Sequence, residues 1–148
     1  MIVRISAMGK PHILAASLAV LIASAAGPVR GAEMSMVGIW YSAFQPDEPG
    51  VMSLIEFEAD GSFNEEFRKC EKGEVVGAYF ESGKWSLKDG IERITIEKIN
   101  GDPTRVEDMY TVELLTETER RIRLEKQNLT FTSRRVAKFE FPDCATGT

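Results

Sequence analysis

From residue 37 onward the chain alternates between apolar and polar positions in short runs. Ile55, Phe57 and Ala59 fall on one face against Glu56 and Glu58. Phe63 and Phe67 oppose Asn64, Glu66 and Arg68, and Trp85 and Leu87 oppose Lys84, Ser86 and Lys88. The pattern returns with Ile94 and Ile96 against Arg93, Thr95 and Glu97, with Tyr110, Val112 and Leu114 on a shared face, and with Ile122 and Leu124 against Arg121, Arg123 and Glu125. A period of two places successive side chains on opposite faces of a β-strand, and one apolar face means one buried side. Helical periodicity is nowhere sustained. Eight strands are predicted, over residues 37–44, 51–59, 62–70, 74–88, 91–100, 105–115, 120–126 and 129–136.

The punctuation between these runs fits the same picture. Asp60-Gly61 and Asp89-Gly90 are hairpin signals, because glycine accepts the positive φ of a tight turn. Glu71-Lys72-Gly73, Gly101-Asp102-Pro103 and Gln127-Asn128 supply further turns, and Pro46 to Gly50 is a loop dense in turn formers. Gly77 and Gly83, inside the long fourth run, are expected bend or bulge points. Short connections force antiparallel neighbours. The fold class expected is all-β, an eight-stranded antiparallel up-and-down barrel, whose closure removes exposed strand edges. A two-sheet sandwich is the alternative.

The residues before this domain read differently. Arg4 and Lys10 make a basic start, and residues 13–26 form an uncharged, mostly apolar run that is short for a membrane span of about 20 residues. Small residues follow, with cleavage expected after Ala26 or after Gly31. The expectation is a signal peptide over 1–31 and a barrel domain over 36–144, exported to the periplasm or secreted, with an uncleaved N-terminal anchor as the alternative.

Loss of such a leader changes the composition. All 23 acidic residues lie beyond it, whereas Arg4, Lys10 and Arg30 leave with it, so 15 basic residues face 23 acidic ones and the net charge becomes −8. His12, the one histidine, is lost as well. That removes Ser-His-Asp and Cys-His nucleophile pairs and histidine metal sites, and an acidic domain is a poor match for nucleic acid. No metal, cofactor or nucleic-acid partner is expected. Cys70 and Cys144 are an even count in an exported chain and are expected to form a disulfide, with free or intermolecular thiols as the alternative.

Three short motifs occur in order: Gly38-Ile39-Trp40, then Phe57-Glu58-Ala59-Asp60-Gly61-Ser62-Phe63, then Gly83-Lys84-Trp85. Together they resemble the bacterial lipocalin-like proteins of the calycin group. The resemblance implies that Trp40 closes one barrel end beneath an arginine of the last strand, the place held here by Arg134 or Arg135, with Gly38 part of that closure. It also implies a tie between a mid-barrel strand and the C-terminal tail, which Cys70 and Cys144 match in layout.

The candidate ligand cavity is the set Phe57, Phe63, Glu65, Phe67, Tyr79, Trp85 and Tyr110, with Trp85, Glu65 and the loop at Pro46 to Gly50 as its expected centre. Glu65 stands out because it shares a face with Phe63 and Phe67, and a carboxylate among phenylalanines needs a partner or orients a polar ligand group. Glu56, Glu58 and Glu66 fall on polar faces and read as solvated. Arg120, Arg121 and Arg123, with Arg134, Arg135 and Lys138, read as a wet face of cross-strand ion pairs. The functional expectation is a non-enzymatic exported barrel binding a small apolar or amphipathic molecule. The rivals are a periplasmic protein-interaction or inhibitor module with a filled barrel, and an enzyme acting in the cavity.

Overall fold

The computed structural model describes residues 34–44 and 46–144; residues 1–33, Gln45 and 145–148 lie outside the described residues, and with them the expected signal peptide. Eight strands follow in chain order: β1 (Gly38–Ala43), β2 (Val51–Phe57), β3 (Ser62–Glu71), β4 (Glu74–Lys88), β5 (Ile91–Ile99), β6 (Asp102–Leu115), β7 (Glu119–Leu124) and β8 (Leu129–Val136). Each pairs antiparallel with the next, and β8 pairs back onto β1 to close the barrel. The expected class is the observed one. A single turn of 3-10 helix, Glu125–Gln127, is the one departure from strand and turn among the described elements.

The turns follow from local chemistry. Lys72-Gly73, Asp89-Gly90 and Asn100-Gly101 each place two successive residues at positive φ, the backbone that matches the twist of a two-residue hairpin. Asp60 holds its turn differently: its carboxylate accepts hydrogen bonds from the Ser62 amide and hydroxyl, which lowers its pKa. That turn begins at Glu58, whose carbonyl accepts from the Gly61 amide, so β2 ends at Phe57 and not at Ala59. β6 starts earlier than expected, at Asp102, because Pro103 sits opposite Lys98 where the pairing with β5 is already irregular.

Both glycines of β4 stand beside bulges. The ladder skips a residue next to Gly77, and a second shift lies between Ser82 and Gly83. At Gly83 the requirement is steric, since a Cβ there would lie 1.9 Å from the Thr95 carbonyl oxygen.

Strand direction gives the barrel two unlike ends. At the end where β1 begins, Trp40 is fully buried and its indole N–H donates to the Met36 carbonyl at 2.8 Å. Arg135 of β8 lies over the indole, 4.2 Å from its centroid. Its guanidinium also donates to the carbonyls of Val37, Ser35 and Glu117 at 2.6, 2.6 and 2.8 Å. Gly38 makes room for it: its φ is +126°, and a Cβ would stand 2.4 Å from an Arg135 terminal nitrogen. Arg135 is therefore the closing arginine. Arg134 points the other way and covers Tyr41 on the outer wall at 4.9 Å.

The outer wall of β2 is also covered. Met52 and Leu54 point outward by alternation yet are buried. Phe141 of the tail meets Tyr41 edge-on at 6.5 Å and lies under Arg68 at 4.2 Å. The tail is fixed by a disulfide between Cys70 and Cys144. With the two cysteines 74 positions apart in sequence, chain entropy assigns this bridge about 4–5 kcal/mol.

Replacing Gly38 by alanine forces an L side chain into a disfavoured backbone region and against Arg135. The expected loss is about 1–3 kcal/mol. Gly77→Ala, where a Cβ meets nothing within 4 Å, is expected to change stability by less than about 1 kcal/mol. Chemical denaturation of the two variants checks the difference.

Candidate binding cavity

Alternation sends a defined set of side chains inward, and register decides which of them meet. At the closed end these are apolar. Trp40, Ile55, Phe57, Phe63, Ile94 and Ile96 form the core cluster with Met36, and Trp85 and Tyr110 pack against it. Phe57 meets Trp85 edge-on at 5.1 Å, and the Trp85 indole N–H donates to the Glu58 carbonyl at 3.0 Å. Above this floor the side chains no longer fill the barrel. A cavity of about 300 Å³ remains, running toward the end where β1 finishes, with Asp47 and Gln127 among its outermost lining residues.

The wall of that cavity is polar. Ser42, Ser53 and Ser133 line it with Glu65, Glu81, Glu92, Asp108 and Arg120, while Phe67, Tyr79, Tyr110 and Phe131 supply aromatic surface. Phe67 and Tyr79 are register partners on β3 and β4 and stack at 4.4 Å, with planes 9° apart. Tyr110 meets Phe131 edge-on at 6.1 Å. Of the residues expected to form the site, Glu65, Phe67, Tyr79 and Tyr110 are brought together here. Phe57, Phe63 and Trp85 are not. They belong to the floor beneath the cavity, so Trp85 lies at the same end as Trp40, because β4 runs from the open rim down to that floor.

Arg120 requires a second correction. Its neighbours Arg121 and Arg123 lie on the outer wall and pair with Glu113, with Arg123 also reaching Glu125. Arg120 has the opposite parity, shared with Ile122 and Leu124, and is buried. It donates to the Glu92 carboxylate through Nη2 at 2.5 Å and Nε at 3.2 Å, and to the Ser133 hydroxyl at 3.3 Å. Its guanidinium also stands 5.2 Å from the Phe57 ring centroid. Glu92 is wholly inaccessible. A buried forked pair of this kind holds its members only as long as both are present.

The remaining interior carboxyls are arranged differently. Glu65 and Glu81 are directly opposite on β3 and β4, and among the described residues neither they nor Asp108 form an ion pair with lysine or arginine. Glu65 accepts a hydrogen bond from Ser53. Burial, then the Glu81 charge, raises its pKa to about 8. Burial and Asp108 raise Glu81 as well. Tyr79 and Tyr110 are pushed upward by burial first and by these carboxylates second, so both keep their hydroxyl protons.

Among the described residues there is no histidine, both cysteines are joined in the disulfide, and no group of three or more His, Cys, Asp or Glu side chains is placed to hold a metal. Sequence reasoning missed Glu81, Glu92, Asp108 and Arg120. The signal was present for Glu92 and Arg120, which share parity with Ile94 and Ile122; both were overlooked because charged residues were assigned to the outer wall by type.

Fold and cavity together define the class: a closed eight-stranded up-and-down barrel, sealed at one end and hollow at the other. No family model matches the chain, and no curated protein is matched either. Among solved structures it is similar to a lipocalin-like protein from Bacteroides uniformis, at 17% identity and a TM-score of 0.42, over 68% of this chain and 97% of the other.

Two outcomes are expected. Arg120→Met leaves the Glu92 carboxylate buried without its cation and should destabilise the barrel by about 3–5 kcal/mol. Arg121→Met on the outer wall should cost no more than about 1 kcal/mol; paired denaturation curves check both. The second concerns pH. Glu65 has a folded pKa near 8 against 4.5 for the free side chain, so the folded state keeps a proton that the unfolded chain has released. Its contribution to stability is full below pH 4.5 and is lost progressively up to about pH 8. Thermal melts should show Tm falling across that window in the wild type and falling less in Glu65→Gln.

Proposed function

We propose that this barrel binds one small amphipathic molecule in its cavity, without catalysing a reaction, and works outside the cytoplasm in the periplasm or as a secreted protein. The observation that carries the reading is the cavity of about 300 Å³ above a closed apolar floor. That volume is at the lower end of ligand pockets, which run from about 300 to 1,000 Å³. Its isoleucine floor suits the apolar part of a ligand, and its ring of carboxyl, hydroxyl and aromatic groups suits a polar part.

A binding role rather than catalysis is supported by the absence, among the described residues, of an imidazole or a free thiol. The disulfide supports an oxidising location. The described residues contain no helix long and apolar enough to cross a membrane. The cavity also favours a ligand over the filled-barrel interaction module.

Native mass spectrometry of protein purified from its own host is the direct test. The expected result is one non-covalently held small molecule per chain, released on acid denaturation. An experimental electron-density map with the barrel interior packed solid by side chains would overturn the reading.

A further inference from the structure

We infer that the cavity is selective for a small organic monocation, a primary or secondary ammonium group on an apolar body, with its charged head received between Glu65 and Glu81. The inference rests on the ligand-binding reading above and adds the chemistry of the ligand.

The argument starts from charge balance inside the barrel. Among the described residues Arg120 is the single basic one in the cavity lining, and Glu92 and Ser133 occupy its guanidinium. It is thus committed, and an anionic ligand would meet no available cation. Glu65, Glu81 and Asp108 face the same space with no basic partner among the described residues. Asp47 lines the outer part of the cavity and Glu48 acts electrostatically on Tyr79, so the approach is acidic as well and would concentrate cations at the mouth.

Geometry then distinguishes the kinds of cation. Glu65 and Glu81 are direct cross-strand partners, which places their Cβ atoms about 4.5–5.5 Å apart. Two carboxyls so placed do not readily both ionise in the empty barrel. A primary ammonium has three N–H donors and a secondary one two, so either fits between two acceptors, with the Ser53 hydroxyl already turned to Glu65. A metal ion is a poorer match, because no described group of side chains forms a cage for one. The stacked Phe67 and Tyr79 lie two register steps from the carboxyl pair, the next pair on the same inward face. Aromatic faces at that position attract a cation and accept the flat or aliphatic body attached to it.

Proton linkage supplies a signature that a nonspecific apolar cavity would lack. The groups facing Glu65 are Ser53 of β2, Tyr79 and Glu81 of β4, Glu92 of β5, Asp108 and Tyr110 of β6, and Arg120 of β7. Burial first, then the Glu81 charge and more weakly Glu92, outweigh the opposing effects of Ser53 and Arg120 and leave Glu65 protonated at neutral pH. An incoming ammonium therefore displaces that proton, and its affinity should rise as pH rises toward about 8.

The test uses three probes of one shape: 2-phenylethylammonium, 2-phenylethanol and 3-phenylpropanoate, titrated by calorimetry into the full chain at neutral and at mildly alkaline pH. The ammonium is expected to bind at least about tenfold more tightly than either of the others, a difference of about 1.4 kcal/mol, with proton release and with higher affinity at the higher pH. Glu65→Gln and Glu81→Gln should each remove most of that preference while melting no lower than the wild type, since each replaces an acid whose charged form burial disfavours. Equal or tighter binding of the alcohol or the carboxylate would overturn the ligand class and leave the carrier reading standing. Unchanged preference in both folded variants would overturn the seat assigned to the ammonium. No binding of any of the three would overturn the inference together with the reading it rests on.

Discussion

The pairing of β8 with β1, capped by Arg135 over Trp40, is the contact on which the remaining structure depends. Without it the eight strands are an open sheet with two exposed edges and no interior. The guanidinium does several things at once: it covers the indole face and gathers carbonyls from both sides of the seam, at Ser35 and Val37 before β1 and at Glu117 before β7. Donors shared in this way tie the first and last strands through a group that cannot lose its charge. The glycine at position 38 is part of the same contact, since the guanidinium occupies the space of its missing Cβ. A sealed floor also gives the cavity one mouth.

Above that floor, two demands on the interior conflict. Stability favours apolar side chains at every inward position, yet the middle of this barrel carries four carboxyls and one guanidinium. Glu92 and Arg120 resolve the conflict internally, each satisfying the other where both are buried. Glu65 and Glu81 do not, and the upward displacement of both pKa values expresses the energy held there. Departures of this kind from the rules of folding cluster at functional or strained sites. The aromatic pairs Phe67 with Tyr79 and Tyr110 with Phe131 line the same space.

Most of the fold was legible in the sequence because alternation, turn chemistry and closure are local rules applied eight times. Asp-Gly turns and β-branched runs placed the strands to within a few residues, and the errors fell where tertiary context intervenes, as at Pro103 opposite a bulge. The site was less legible. Parity alone would have put Glu92 and Arg120 inside, but residue type argued for the surface, and a buried ion pair is invisible until both partners are known to share a layer. Phe57, Phe63 and Trp85 were correctly inward-facing yet misplaced along the barrel axis. Height above the floor depends on strand stagger, which no single strand encodes.

Stagger also explains why the disulfide sits where it does. Cys70 lies at the open rim of β3, its amide donates to the Gly50 carbonyl at 2.8 Å, and Gly50 ends the loop that begins after β1. The bridge to Cys144 therefore fixes three segments at one point: the tail, the β3 rim and the base of the loop carrying Asp47 and Glu48. The closed end needs no such device, because its floor is packed by aromatic and aliphatic side chains. A rim around a hollow cannot be held by packing into the barrel, since there is nothing beneath it to pack against. Covalent linkage at the rim and a hydrophobic floor at the base are thus two answers to one requirement, that the carboxyl pair between them keep its spacing while the cavity stays open.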